Sequence, residues 1–302
     1  LFTKWRFCFF FRLERGLLVF SLALLLPIPT YHTQMKMKLI PLLLALGLTA
    51  PGIHAAVTYS IAESTYSQNF DSLSGVTTWA DNSTLAGWYA RTTATATISS
   101  LGANTGSTTT AGLYSFGVAG TNASTERSLG FMTSNGFTGA VATPSFNIIG
   151  FNVVNGTGET MTTINIGYDG EQWRRADNTT AHSMTVQYSF DATSLVTGTW
   201  TSAGAGLTFT SPQTAATALT LDGNAAANRV AGLTSTIEEL AWAAGTGLWI
   251  RFLDANDAGN DHTLTIDNFS FSAAPAEVIP EPGAVLLGAL GLLALLRRRR
   301  LG

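Results

Sequence analysis

The sequence predicts an all-β protein, a jelly-roll-like two-sheet β-sandwich, and three observations carry that prediction. Residues 57–273 are crowded with Thr, Ser, Gly, Asn and Val, which suit half-buried pleated faces or the turns between them. Their apolar positions alternate in short runs bounded by turn residues, which is the period of strands. No long stripe of period 3.6 occurs; Ser235 to Ala243 comes nearest to one. A stretch of about 217 residues is enough to close one core. No repeat of 20 to 50 residues is visible, which argues against a solenoid or propeller.

In chain order, strands are predicted at residues 66–70, 94–99, 113–118, 128–132, 145–154, 162–168, 182–190, 199–203, 247–253 and 262–272. Most hold β-branched or aromatic residues and are followed by Gly, Asn, Asp or Ser. Ten strands joined by turns require two packed sheets. Asn155-Gly156 and Gly158 mark a turn between two of them. Three further segments stand out. Gly170-Glu171-Gln172-Trp173-Arg174-Arg175 offers Trp173 for packing and Arg174 for pairing with a carboxylate. Leu248 to Leu253 alternates along a strand and enters the acidic loop Asp254 to His262. The chain then returns through Ile266-Asp267-Asn268-Phe269.

The front of the chain reads as targeting rather than fold. Met35-Lys36-Met37-Lys38 is a positive start, residues 39–48 an apolar run and Ile53-His54-Ala55-Ala56 a small-residue cleavage site, so residues 35–56 are expected to be a secretory signal peptide. Residues 1–34 hold a second apolar run, 17–26, and the chain opens on Leu. Two readings of this segment stand, an upstream extension or an additional membrane segment. Cys8 is the one cysteine of the sequence, so the exported part is expected to use no disulfide, thiolate metal site or cysteine nucleophile.

Charge narrows the functional classes. Ten of the 16 Lys and Arg residues lie in the front segments or the last six residues. Residues 57–281 keep six arginines, no lysine and 18 Asp and Glu, a net charge of −12. Such a surface repels phosphate backbones, which disfavours nucleic acid as a partner. Gly-x-Ser-x-Gly, His-Glu-x-x-His and phosphate-cradling loops are absent from the sequence. The two histidines of the exported part, His182 and His262, are expected at the surface or in turns. The adjacent acids Glu238 and Glu239 point apart on any regular element and make a poor glycosidase pair. The chain is therefore expected not to be an enzyme. Among its aromatic residues, Trp88, Tyr89 and Trp200 are candidates for a glycan-facing surface, since exposed rings offer flat apolar platforms with polar edges. The loop carboxylates Asp254, Asp257 and Asp261 are candidates for calcium. Asp254, Asn256 and Gly259 sit at EF-hand positions 1, 3 and 6, but Ala258 and Thr265 occupy positions 5 and 12, so the loop is either a looser calcium site or a polar hairpin.

The end of the chain is the most specific stretch. Pro280-Glu281-Pro282 is stiff and extended; residues 284–296 are almost wholly apolar; Arg297, Arg298, Arg299 and Arg300 follow at once. Thirteen helical residues reach about 20 Å, against a hydrocarbon core of about 30 Å, and the arginines would hold their end in the cytoplasm. Residues 279–302, joined to the sandwich by a linker at 274–278, resemble the PEP-CTERM sorting signal of Gram-negative bacteria, although Gly283 replaces the usual Ser or Thr. The same tail is also catalogued as an ice-binding protein C-terminal domain. The resemblance implies a short transmembrane helix, processing by an exosortase after Sec export, a transient stay in the inner membrane and residence at the cell surface or in exopolysaccharide.

Residues 57–273 also resemble a β-domain of bacterial extracellular proteins, through the Gly-Glu-Gln-Trp-Arg, Trp-Ile-Arg, acidic-loop and Ile-Asp-Asn-Phe segments. A weaker likeness is to jelly-roll carbohydrate-binding modules, through Asn69-Phe70-Asp71 at the opening and Ile266-Asp267-Asn268-Phe269 at the close. That likeness implies that Asp71 and Asp267 share a structural Ca2+.

Overall fold

The computed structural model describes residues 13–14, 17–18, 57–117, 126–277 and 282–298. The expected signal peptide at 35–56 lies outside the described residues, as do Pro280, Glu281, Arg299 and Arg300. The chain divides into two compact units, Leu1–Pro51 and Gly52–Gly302. Within the first, β1 (Leu13–Glu14) and β2 (Leu17–Leu18) pair antiparallel.

The second unit is a two-sheet sandwich. Its strands are β3 (Val57–Tyr59), β4 (Tyr66–Gln68), β5 (Trp88–Thr92), β6 (Gly102–Asn104), β7 (Gly112–Phe116), β8 (Ser128–Met132), β9 (Phe146–Asn155), β10 (Met161–Arg175) and β11 (Ser183–Ser189). Then follow β12 (Thr201–Ser202), β13 (Phe209–Thr210), β14 (Leu219–Thr220), β15 (Arg229–Ile237), β16 (Gly247–Ala255) and β17 (Thr263–Pro275). One sheet of eight strands runs β14-β10-β17-β8-β7-β6, with β15 also on β10 and β4 also on β17. The other, of seven, runs β12-β11-β16-β9-β3, with β13 also on β11 and β5 also on β9. Within these two sheets the pairs are antiparallel except β3 with β9 and β6 with β7.

Alternation explains which side chains meet between the sheets. Trp88 and Ala90 of β5, Ile149, Phe151 and Val153 of β9, and Leu248, Ile250 and Phe252 of β16 point inward, toward Ile164, Ile166 and Tyr168 of β10 and Phe269 and Phe271 of β17. The centre is aromatic: Trp88 meets Phe70 at 4.9 Å and Phe269 at 5.1 Å, both edge to face, a geometry the ring quadrupoles favour. Burying each of these Phe side chains stabilises the fold by about 1.5–3 kcal/mol.

Several predicted elements are revised. Residues 94–99 do not form a strand: β5 ends at Thr92, whose Oγ1 accepts the N–H of Thr95 and turns the chain. The strand predicted at 162–168 continues to Arg175. The near-helical pattern at 235–243 belongs to a strand that ends at Ile237 and to a turn in which Glu239 takes a φ of 57°. At the far end, the helix α1 (Pro282–Arg298) extends two residues beyond the predicted span on each side. Its 17 residues measure about 25 Å, and none of the described helices is long and apolar enough to cross a membrane.

One irregularity sets up the site chemistry. The β10–β17 register shifts between Gly167 and Asp169, next to Asn268, whose φ of 48° is left-handed. Phe269, Phe271 and Ala273 therefore face the core, whereas Thr263, Thr265 and Asp267 lie on the opposite side of the sheet, level with Asp169 and Glu171.

Candidate cation sites and an aromatic outer face

Two clusters of ionisable side chains come together. The first lies on the outer side of the eight-stranded sheet. Asp267 of β17, Glu171 of β10 and Glu126, two residues before β8, bring carboxylate oxygens within 4.8 Å of one another. Asp267 and Glu171 are fully buried. Glu171 Oε2 accepts the indole N–H of Trp173 at 2.9 Å, and that N–H also reaches Ser128 Oγ at 2.8 Å. Asp267 Oδ2 accepts from Asn268 Nδ2 at 3.0 Å, while Oδ1 is buried with no hydrogen-bond partner. Burial, reinforced by the charge of Glu171 and by a side-chain hydrogen bond with Glu126, pushes the Asp267 carboxyl up to about 9, and burial also raises Glu171.

Asn224, in the loop after β14, completes the surround: its amide terminus lies 3.1 Å from Glu171 Oε1 and 3.3 Å from Glu126 Oε1. Gly223 permits this approach, because a Cβ there would collide with the Trp173 indole.

Asp71, expected to share a cation with Asp267, is not among the three carboxylates of this cluster. The first and last strands of the sandwich's eight-stranded sheet do pair, Gln68 opposite Phe269. Asp71, however, falls in a 3-10 turn after β4, where Oδ1 accepts the Arg127 backbone N–H at 2.9 Å and Oδ2 accepts from Asn69 at 2.7 Å. It fixes the segment that carries Glu126. Neither Glu126 nor Glu171 was a candidate, because sequence spacing does not show that residues 126, 171 and 267 meet.

The second cluster joins the acidic loop to the start of β11. His182 Nδ1 lies 3.6 Å from both Asp257 Oδ2 and Asp261 Oδ1. Contrary to expectation, His182 and His262 are buried, 2% and 1% exposed, and their rings meet at 4.6 Å. They fill the space beneath the loop: His262 N–H donates to His182 Nδ1 at 3.2 Å and Ala176 N–H donates to His262 Nδ1 at 3.0 Å. Burial lowers both imidazoles and raises Asp261 to about 7. Asp254 is separate from this group. It is buried, accepts from Asn147 Nδ2 at 3.0 Å and is held well above the usual carboxylate range by burial. Beside the loop is a cleft of about 160 Å³ lined by Arg174, Asp177, Asn260 and Asp261 among others, small against the 300–1,000 Å³ of ordinary ligand pockets.

The proposed glycan residues separate by strand parity. Trp88 is fully buried in the core and so is removed from any glycan face. Tyr89, its neighbour, lies on the outer side of the seven-stranded sheet, half-buried at 4.6 Å from the Trp249 ring. Trp200 is half-buried in the same outer cluster. The Arg251 guanidinium stacks 3.9 Å above its ring and donates to Gln187 Oε1 at 2.6 and 3.0 Å and to Leu195 O at 2.6 Å. Among the described residues no carboxylate pairs with Arg251, and burial lowers it to about 10.

No family model and no curated protein matches this chain. Among solved structures it is similar to the CBM22-1 xylan-binding domain of Paenibacillus barcinonensis Xyn10C, at 11% identity and a TM-score of 0.36, over 72% of this chain and 99% of that one. A second xylan-binding domain from CBM 22, formally the x6b domain, aligns at 10% identity and 0.30, over 68% and 99%. The K3 cleaved adhesin domain of Lys-gingipain from Porphyromonas gingivalis aligns at 12% and 0.28, over 52% and 79%. Likenesses this distant carry no argument about ligand or activity.

Proposed function

We propose that the chain is an exported, non-catalytic jelly-roll module that binds extracellular polysaccharide on the outer side of its seven-stranded sheet. The observation that carries this reading is the group Tyr89, Trp200 and Arg251. Two half-buried rings stand beside a guanidinium that has neutral acceptors and a stacked indole but, among the described residues, no carboxylate. Aromatic rings stack on the C–H faces of sugars, and Arg and Gln donors read hydroxyls or carboxylates at the ring edge. The test is retention on immobilised exopolysaccharide. Trp200→Ala and Tyr89→Ala are each expected to lower retention about tenfold, the effect of losing about 1.4 kcal/mol of contact. Unchanged retention in the double variant, with an unchanged melting temperature, would overturn the reading.

The delivery route belongs to the same proposal. The signal peptide at 35–56 sends the chain through Sec, and the tail from Ile279 holds it in the inner membrane until an exosortase cuts at Pro280-Glu281-Pro282. A helix of about 25 Å suits brief holding better than permanent anchorage, since the bilayer core is about 30 Å thick. Arg297 is exposed on α1, where it and its neighbours would meet the cytoplasmic headgroups. Glu281→Ala is expected to leave uncut protein in the inner membrane; release at the normal rate would refute this route.

A further inference from the structure

We propose that Glu126, Glu171, Asp267 and Asn224 form a calcium site on the outer side of the eight-stranded sheet. The inference goes beyond the polysaccharide reading and stands or falls separately, because these residues lie on the other sheet from Tyr89, Trp200 and Arg251.

Three features support it. Three carboxylates from three parts of the chain place oxygens within 4.8 Å of one another. A central ion with bonds of about 2.4 Å can reach oxygens up to about 4.8 Å apart. Asp267 Oδ1, on a residue with no exposed surface, lacks any partner, and an unpaired buried carboxylate oxygen carries a large desolvation cost unless something positive meets it. Of the nearby cations, Arg229 Nη2 pairs with Asp169 Oδ2 at 2.8 Å, while Arg127 Nε is buried without a hydrogen-bond partner. Finally, the Asn224 amide donates to Glu171 Oε1 and Glu126 Oε1, and turned over toward a bound ion its carbonyl would supply a fourth oxygen.

The donor set selects the ion. All four side chains offer oxygen, which suits a hard cation and not the softer N- and S-seeking metals. Calcium takes six to eight oxygens at 2.3–2.6 Å, a number reached if carboxylates bind through both oxygens or water joins them. Magnesium requires near-octahedral bonds of about 2.0–2.1 Å and keeps much of its water.

The test uses full-length protein stripped with a chelator and terbium as a luminescent stand-in for calcium. Excitation of tryptophan should produce terbium emission, because the Trp173 indole touches Glu171, and added calcium should quench it. Calcium at a hundredfold excess over its Kd should raise the melting temperature by on the order of 5 °C. Asp267→Asn should abolish both responses. Asn224→Ala, a change in a half-exposed loop, should weaken calcium at least tenfold. Absence of emission and of any melting shift would overturn the proposal. So would responses that survive both variants but disappear in Asp257→Asn, which would move the ion to the histidine cluster.

Discussion

The two clusters of acids contrast in how their charges are met. At the first, three carboxylates from three strand-bearing segments converge under Trp173 and one oxygen is left without a partner. At the second, two carboxylates adjoin an imidazole that already accepts a backbone N–H; Asp261 accepts the Asp257 N–H at 2.8 Å, and the Asp257 side chain is 39% exposed. Protein hydrogen bonds and water answer the second cluster. At the first, Asp267 Oδ1 is left without a donor. Proximity of acids thus matters less than whether neighbouring donors already satisfy them, and burial decides how strongly any shortage is felt.

Experiments that separate the clusters differ in expected size. The largest effect belongs to pH in chelator. Asp267 has its folded pKa raised to about 9 from 3.8, so its contribution is fully present below about pH 4 and is lost as pH rises toward 9. The stripped protein should lose on the order of 10 °C in melting temperature across that window, calcium should restore it, and Asp267→Asn should remove the loss. Failure of the variant to flatten the profile would show that the first cluster is already satisfied.

Next comes His182→Ala, which leaves the His262 N–H without an acceptor and a void beneath the loop. Urea denaturation should show destabilisation by about 2–4 kcal/mol, with the calcium response intact. Asp261→Asn is milder. Its carboxyl is raised to about 7, so the wild type loses this contribution between about pH 4 and 7, and the variant should lack that slope in a stability profile. Asp257→Asn, at the exposed position, should change stability by less than about 0.5 kcal/mol; a larger loss would mean that the second cluster does depend on its ionic pair.

Much of the sandwich was readable because alternation is written locally. β8, β9 and β16 are found close to their predicted places. The strand Trp88–Thr92 escaped although it alternates perfectly, since a Trp-Tyr pair beside Asn and Gly residues reads equally as a surface patch. The short edge strands β6, β13 and β14 carry two or three residues each and are defined by their partners more than by composition. Of the site, Asp267 was visible through the closing Ile-Asp-Asn-Phe segment. Glu126 and Glu171 were not, because their meeting depends on pairing across β8, β17 and β10. The histidines were misjudged for a related reason: a polar ring next to an acidic loop reads as solvated until the loop is seen folded over it.

β17 is stitched to β10 along almost its whole length, from Thr263 to Pro275, and it is the last strand before the tail. A pull applied through the C-terminus, as by flow against material held at that end, would act along the axis of this ladder. Many backbone bonds would then have to slip together instead of parting one at a time. The domain would resist tension best along the direction in which a tethered surface protein would feel it.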